Sequence, residues 1–296
     1  ITVGVSEALD LAIRAIVNPG DEVLYHEPCY VSYRPLIIFA GGTPVEIETQ
    51  EADGFRLTLE ALEAAVTPKT KALMLNYPNN PTGGTLRSED VRMIADFAKK
   101  HDIVIISDEI YAELTYGREH AGFAGVEDIK DRLIYLHGFS KAWAMTGFRL
   151  GYACAPPELL DAMNKIHQYT MLCAPILSQE AAAEALTEAD TAIAPMKEAY
   201  HQRCNFVHAR LTEMGIHCPK PEGAFYAFPN IEEFGLDAHE FAMRFLREHN
   251  VAVVPGTAFG SCGKGHIRMS YATSMEKLKI AMERLEIFIG SLRAGA

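Results

Sequence analysis

Ile103-Val-Ile-Ile-Ser-Asp-Glu-Ile-Tyr111 decides the fold class of this chain. Four apolar, β-branched residues in a row leave no solvent-facing side, as expected for a parallel strand covered on both faces. A helical stretch, Ser88–His101, lies just before it, and the strand-like run Lys71–Tyr77 before that. Outward from this unit, Glu22–His26, Pro44–Glu48, Leu133–His137 and Arg149–Ala153 read as strands. Ser6–Val17, Tyr30–Ala40 and Thr58–Val66 read as helices. Strands and helices in alternation predict an α/β fold: a mainly parallel sheet with helices on both faces.

The rhythm changes after Pro156. Helical patterns at Pro157–Thr170, Pro175–Thr187 and Asp190–Met214 follow without an intervening strand. Short strands at Ala224–Pro229, Val251–Pro255 and His266–Tyr271, a helix at Ala238–His249 and a last helix from Ser274 complete the chain. This predicts a large domain over residues 1–189 and a smaller α+β C-terminal domain over 190–296.

Composition bounds the function. The chain has 296 residues, 49% hydrophobic and 22% charged, with a formal net charge of −12. That charge argues against a nucleic-acid-binding surface. The six cysteines form no C-x-x-C pair, so neither a zinc site nor a disulfide framework is expected, and reduced cytoplasmic thiols are. No apolar run approaches the length of a membrane span, and no signal peptide is visible. The chain opens Ile1-Thr-Val-Gly-Val-Ser-Glu-Ala-Leu9, without an initiator Met, directly into an amphipathic pattern. A missing N-terminal segment is therefore expected. Gly260-Ser-Cys-Gly-Lys-Gly265 breaks the P-loop spacing, and no G-x-G-x-x-G occurs.

Ligands of open α/β sheets bind beyond the carboxyl ends of the strands, and clefts between domains bind them too. Several unusual segments fall there. Asp108 closes an apolar strand; alone it reads as a cap or turn residue. As an acid against a pyridine nitrogen, it would keep that nitrogen protonated. Tyr111, three residues on, could donate to a ring phenolate oxygen. Asn80 lies in the rigid turn Tyr77-Pro-Asn-Asn-Pro-Thr-Gly83, which could hold an amide at the same oxygen. Lys141 lies in Gly138-Phe-Ser-Lys-Ala-Trp-Ala-Met-Thr-Gly-Phe-Arg149. A loop lysine is ordinarily a solvated surface residue, but a partly desolvated amine is a nucleophile for a carbonyl carbon. Arg149, at the start of an apolar strand, would need an anionic partner if buried. Arg268 could grip a carboxylate through two parallel hydrogen bonds; a structural ion pair is the bland reading of both arginines. Gly4-Val-Ser-Glu-Ala8 opens a helix, whose N-terminus could dock a phosphate with the Ser6 hydroxyl; Ser6 also reads as a simple N-cap. Tyr30, opening another helical stretch, could stack on a planar ring. An amine, an acid and cations in one chain point to pyridoxal-phosphate chemistry.

With these segments in this order and approximate spacing, the sequence resembles the fold-type I, pyridoxal-phosphate-dependent aminotransferases of class I/II, the aspartate and aromatic aminotransferase relatives. The resemblance covers essentially the whole chain. It implies Lys141 as the Schiff-base residue and proton shuttle, and Asp108 as the partner of the pyridine nitrogen. Tyr111 and Asn80 would contact the phenolic oxygen, and Tyr30 would stack on the ring. Val5, Ser6, Ser140 and Arg149 would hold the phosphate. Asn80 and Arg268 would bind the substrate, Arg268 through its α-carboxylate. Gly138 departs from the pattern, standing where some relatives have Ser. The resemblance further implies ping-pong transfer of an amino group between an L-amino acid and a 2-oxo acid, and a homodimer with shared active sites. The same constellation serves a cysteine-S-conjugate β-lyase, and a transcription regulator's effector domain uses the same fold to sense the cofactor.

Overall fold

The computed structural model describes residues 1–187 and 189–294. Six strands form the main sheet in the order β2-β1-β3-β4-β5-β6. They are β1 (Glu22–Glu27), β2 (Thr43–Glu48), β3 (Thr70–Asn76), β4 (Val104–Asp108), β5 (Leu133–Gly138) and β6 (Gly151–Cys154). All neighbours are parallel except β5 and β6.

Both faces of the sheet are covered, and strand periodicity sorts the side chains between them. Val23, Tyr25, Ala72, Met74, Ile106, Ile134 and Leu136 share one core with α1 (Gly4–Ile16) and α5 (Pro157–Thr170). Leu24, Leu73, Leu75, Ile105 and Leu133 face the other way, onto α3 (Leu59–Ala65) and α4 (Ser88–His101). Local chemistry places the ends of α4: the Asp90 carboxylate accepts from the Arg87 N–H at 2.8 Å, while Lys99, Lys100 and His101 occupy the last turn.

A second core lies beyond α7 (Ala189–Glu213). It packs α7 with α8 (Ala238–His249), α9 (Met275–Ala294) and a small sheet, β7-β9-β8. These strands are β7 (Tyr226–Ala227), β8 (Val254–Pro255) and β9 (Ile267–Ser270). The division expected at 189/190 falls at the start of α7, beside residue 188, which is outside the described residues. Residues 295 and 296 of the expected small domain are also outside them.

Three local expectations are corrected. The helix predicted from Tyr30, α2, begins at Tyr33 and ends at Phe39; the Tyr33 N–H bonds to Tyr30 O at 3.1 Å, which leaves Tyr30 in the preceding turn. Ser6 is not an N-cap: α1 already begins at Gly4, where the left-handed φ of +75° suits glycine. Arg149 precedes β6 rather than opening it and is exposed, so burial of its charge is not what calls for an anion.

Candidate active site

The parallel strands deliver the site at their carboxyl ends. Asn76 ends β3 and Asp108 ends β4, and the two are register partners. β5 ends at Gly138, three residues before Lys141. A Cβ at Gly138 would lie 2.8 Å from Leu150 O and 3.1 Å from a Val5 methyl, so glycine is what lets β5 approach β6 and α1. A serine there would not fit without movement.

A cleft of about 330 Å³ opens over these strand ends. Every residue singled out from the sequence lines it: Val5, Ser6, Tyr30, Asn80, Asp108, Tyr111, Ser140, Lys141, Arg149 and Arg268.

At the floor, Asp108 is 4% exposed. Its Oδ2 accepts from the Tyr33 hydroxyl at 2.9 Å, and its Oδ1 accepts from the Ile110 N–H at 3.2 Å. The Ile110 bond is the one expected of a turn residue closing a strand. Burial pushes the carboxyl up to about 6, opposed by the Tyr33 and Ile110 hydrogen bonds and by His137 and Lys141. The Asn76 amide donates to Asp108 O at 2.9 Å and accepts from the Asn80 N–H at 3.0 Å, tying the Asn-Asn-Pro turn to the strand ends.

Lys141 is half-buried. Its Nζ sits 5.6 Å from the ring centroid of Tyr111 and 5.7 Å from that of Phe225. Burial lowers its pKa; Asp108 pulls the other way, and Arg149 and Arg268 lower it further. The neutral, nucleophilic amine is thereby favoured.

Arg268, on β9, donates from Nη1 to Asn80 Oδ1 at 2.9 Å, so the Asn80 amide hydrogens remain for another acceptor. Its guanidinium lies 4.6 Å from the Tyr226 ring and 4.7 Å from the Phe259 ring, and its buried Nε has no hydrogen-bond partner among the described residues. Arg149 donates to Thr146 O at 3.1 Å. Among the described residues neither arginine makes an ion pair, so the bland reading of both fails. A Cβ at Gly4 would lie 2.6 Å from Arg149 Nη2, so this cation rests against the glycine that begins α1. Helix N–H groups and a guanidinium meet at that corner.

These groups fit pyridoxal phosphate. A buried carboxylate raised to about 6 gains from a protonated ring nitrogen. A helix N-terminus beside an arginine with no ion-pair partner among the described residues suits a phosphate. A depressed amine suits an aldehyde. Among the described residues no group of three or more His, Cys, Asp or Glu side chains could hold a metal, and no helix is long and apolar enough to cross a membrane.

Three participants escaped the sequence reading. Asn76 had a signal, a polar residue closing an apolar strand. Tyr33, on a helix, and Tyr226, on a short strand, look like core aromatics. Their partners Asp108 and Tyr111 are 75 and 115 residues away.

Comparison with known proteins gives the family. The family model for aminotransferase class I and II matches residues 1–285, and the chain belongs to that family. Its members are pyridoxal-phosphate-dependent, and this protein is an aminotransferase. The Bacillus subtilis protein YugH is 50% identical over 289 residues, covering 98% of this chain and 75% of its own length. An aspartate aminotransferase of Pyrococcus abyssi is 45% identical over 289 residues, covering 97% of this chain and 74% of its own. The crystal structure of an aromatic aminotransferase from Pyrococcus horikoshii superimposes with a TM-score of 0.96 at 43% identity, covering 99% of this chain and 79% of that one.

Proposed function

We propose that the cleft is the transamination site and that its residues hold the roles the sequence implies. The supporting observation is the convergence on one cleft of a depressed amine, a buried carboxylate and two arginines that have no acidic partner among the described residues. Asp108 faces the cofactor's ring nitrogen, positioned by Tyr33. Tyr111 and the Asn80 amide donate to its phenolic oxygen, and Tyr30 stacks on the ring. Val5, Ser6, Ser140 and Arg149 hold the phosphate, and Arg268 holds the α-carboxylate. Bound there, pyridoxal phosphate would supply an aldehyde for the Lys141 amine, an electron sink for the substrate α-carbon and a carrier for the amino group. Lys141 Nζ, freed by the incoming amino acid, takes the α-proton and holds it for return. Residues 1–189 serve as the cofactor-binding domain and 190–296 as the smaller one, in a cytoplasmic enzyme.

Aspartate and aromatic relatives support one of those amino acids as donor. The test mixes cofactor-loaded protein with single amino acids and follows loss of the visible band and release of the matching 2-oxo acid. Pyruvate and ammonia released from cystathionine, with no donor-dependent oxo acid, would reject transamination. In the same assay, Arg268→Lys should raise the apparent dissociation constant of the amino acid about 10- to 100-fold, because lysine loses the two-pronged grip. Cofactor should stay bound. Loss of cofactor with unchanged substrate affinity would reassign Arg268.

We also propose a homodimer. Tyr169, Leu172 and Leu177 are 89%, 79% and 80% exposed, a concentration of apolar side chains that calls for a covering surface. The patch adjoins the phosphate corner: the Ser178 hydroxyl bonds to Phe148 O at 2.7 Å, next to Arg149. Sedimentation over a concentration series should show a dimer, shifted toward monomer by Leu177→Arg. A fully active monomer would remove the shared site.

A further inference from the structure

Tyr226 touches both the residue proposed for the substrate carboxylate and the one proposed for the cofactor's phenolic oxygen. It stands on β7, buried, paired in register with Ser270 of β9, the strand that carries Arg268. Its hydroxyl lies 3.0 Å from that of Tyr111, and the two rings meet edge to face at 5.9 Å. On its other side, the Arg268 guanidinium lies 4.6 Å from its ring centroid. A phenylalanine would supply the ring, so the hydroxyl is the part that needs a reason.

A phenol has one proton to give. By itself, either oxygen of the Tyr111–Tyr226 pair can donate. Once Tyr111 commits its proton to the phenolic oxygen, its own oxygen is left as an acceptor and Tyr226 becomes the donor. We propose that Tyr226 is a positioning residue that donates to Tyr111, strengthens Tyr111 as a donor to the phenolic oxygen of pyridoxal phosphate, and seats Arg268 on its ring. This rests on the assignment of Tyr111 made above.

Two features set the direction. Hydrogen bonds in a chain polarise one another, so a phenol that accepts is a better donor. Burial raises the pKa of both phenols and Arg268 pulls both down, but its guanidinium sits on the Tyr226 ring, 4.6 Å from the centroid, so the cation favours Tyr226 as the giver. Asp108, Lys141, Arg268, Tyr30 and Tyr200 also act on this pair electrostatically or sit on its rings. They are unchanged by a hydroxyl deletion, so a Tyr→Phe comparison isolates the hydroxyl. Donation to the phenolic oxygen draws electron density from it and loosens its hold on the proton it shares with the lysine-derived nitrogen. Loss of donation therefore raises the pKa at which the cofactor's visible band titrates.

The experiment is a spectrophotometric pH titration of the cofactor-loaded protein, with steady-state kinetics alongside. Tyr226→Phe should move the band's pKa up by about half a unit, within the reach of one hydrogen bond. It should raise KM for the amino acid no more than about twofold while kcat falls, because the ring under Arg268 remains. Tyr226→Leu should give the same band shift and, in addition, raise KM several-fold. Tyr111→Phe should move the band further, and the double variant Tyr111→Phe/Tyr226→Phe should titrate with it. An unmoved band in Tyr226→Phe, or additive shifts in the double variant, overturns the relay. If Tyr111→Phe itself leaves the band in place, the Tyr111 assignment falls and the relay with it. A KM that rises as much in Tyr226→Phe as in Tyr226→Leu overturns the seating of Arg268 by the ring.

Discussion

Replacing Lys141 with alanine is expected to lower turnover by about 10⁴-fold or more, the reach of a positioned proton-transfer group combined with a lost covalent anchor. The expectation follows from the surroundings of Nζ. Two aromatic rings flank it, and burial depresses its pKa. An exposed lysine at its ordinary pKa would be almost wholly protonated near neutrality and a poor nucleophile. The variant should still bind cofactor through Asp108, Arg149 and the α1 N-terminus, without covalent attachment. Borohydride reduction of the unsubstituted protein followed by peptide mapping should place the pyridoxyl label on Lys141. A label on any other lysine rejects the assignment, as does an active Lys141→Ala protein.

Asp108→Asn should slow proton abstraction about 10²- to 10⁴-fold while leaving the fold intact. The basis is that removing one partner of a buried charge pair costs about 3–5 kcal/mol, with about 1.4 kcal/mol for each factor of ten. The amide can still accept from Tyr33, but it cannot hold a ring nitrogen protonated. A stability measurement on the cofactor-free protein gives an independent readout. Burial pushes the Asp108 carboxyl up to about 6 in the fold, above its ordinary value of 3.8. The native state therefore binds more protons than the unfolded chain between those values, and this group's contribution to stability falls as pH rises through that window. The Asn substitution removes that decline. Near-normal half-reaction rates in a loaded D108N protein would contradict the role, and an unchanged stability profile would contradict the burial argument.

Much of this protein was legible before any coordinates. The continuous run Ile103-Val-Ile-Ile106 could only be buried on both faces, and the structure sorts Ile105 and Ile106 onto opposite cores. The segments around Asn80, Asp108 and Lys141 each follow a strand, and parallel connection puts all such ends on one edge. Chain order and strand direction are properties of the sequence, so the gathering of these residues was readable. α5 and α8 also run between the residues expected. Tyr30 was misplaced because its turn continues an apolar pattern into α2, and periodicity does not mark where a turn becomes a helix.

Other features exist only once the chain is folded. Arg268 reaches Asn80 across 188 residues of sequence, and Tyr226 reaches Tyr111 across 115. No local pattern encodes such pairs, because they depend on how the small sheet sits against the strand ends. Tyr33 and Tyr226 have the sequence character of core aromatics; a hydroxyl's partner, which comes from another element, separates a packing residue from a positioning one. Charge state follows the same division. Asp and Lys are visible as letters, but the rise of Asp108 and the fall of Lys141 come from lost water and nearby charges. The sequence names the acids, bases and cations through strand order and turn chemistry, whereas their proton affinities and hydrogen-bond partners arise from burial and long-range contact.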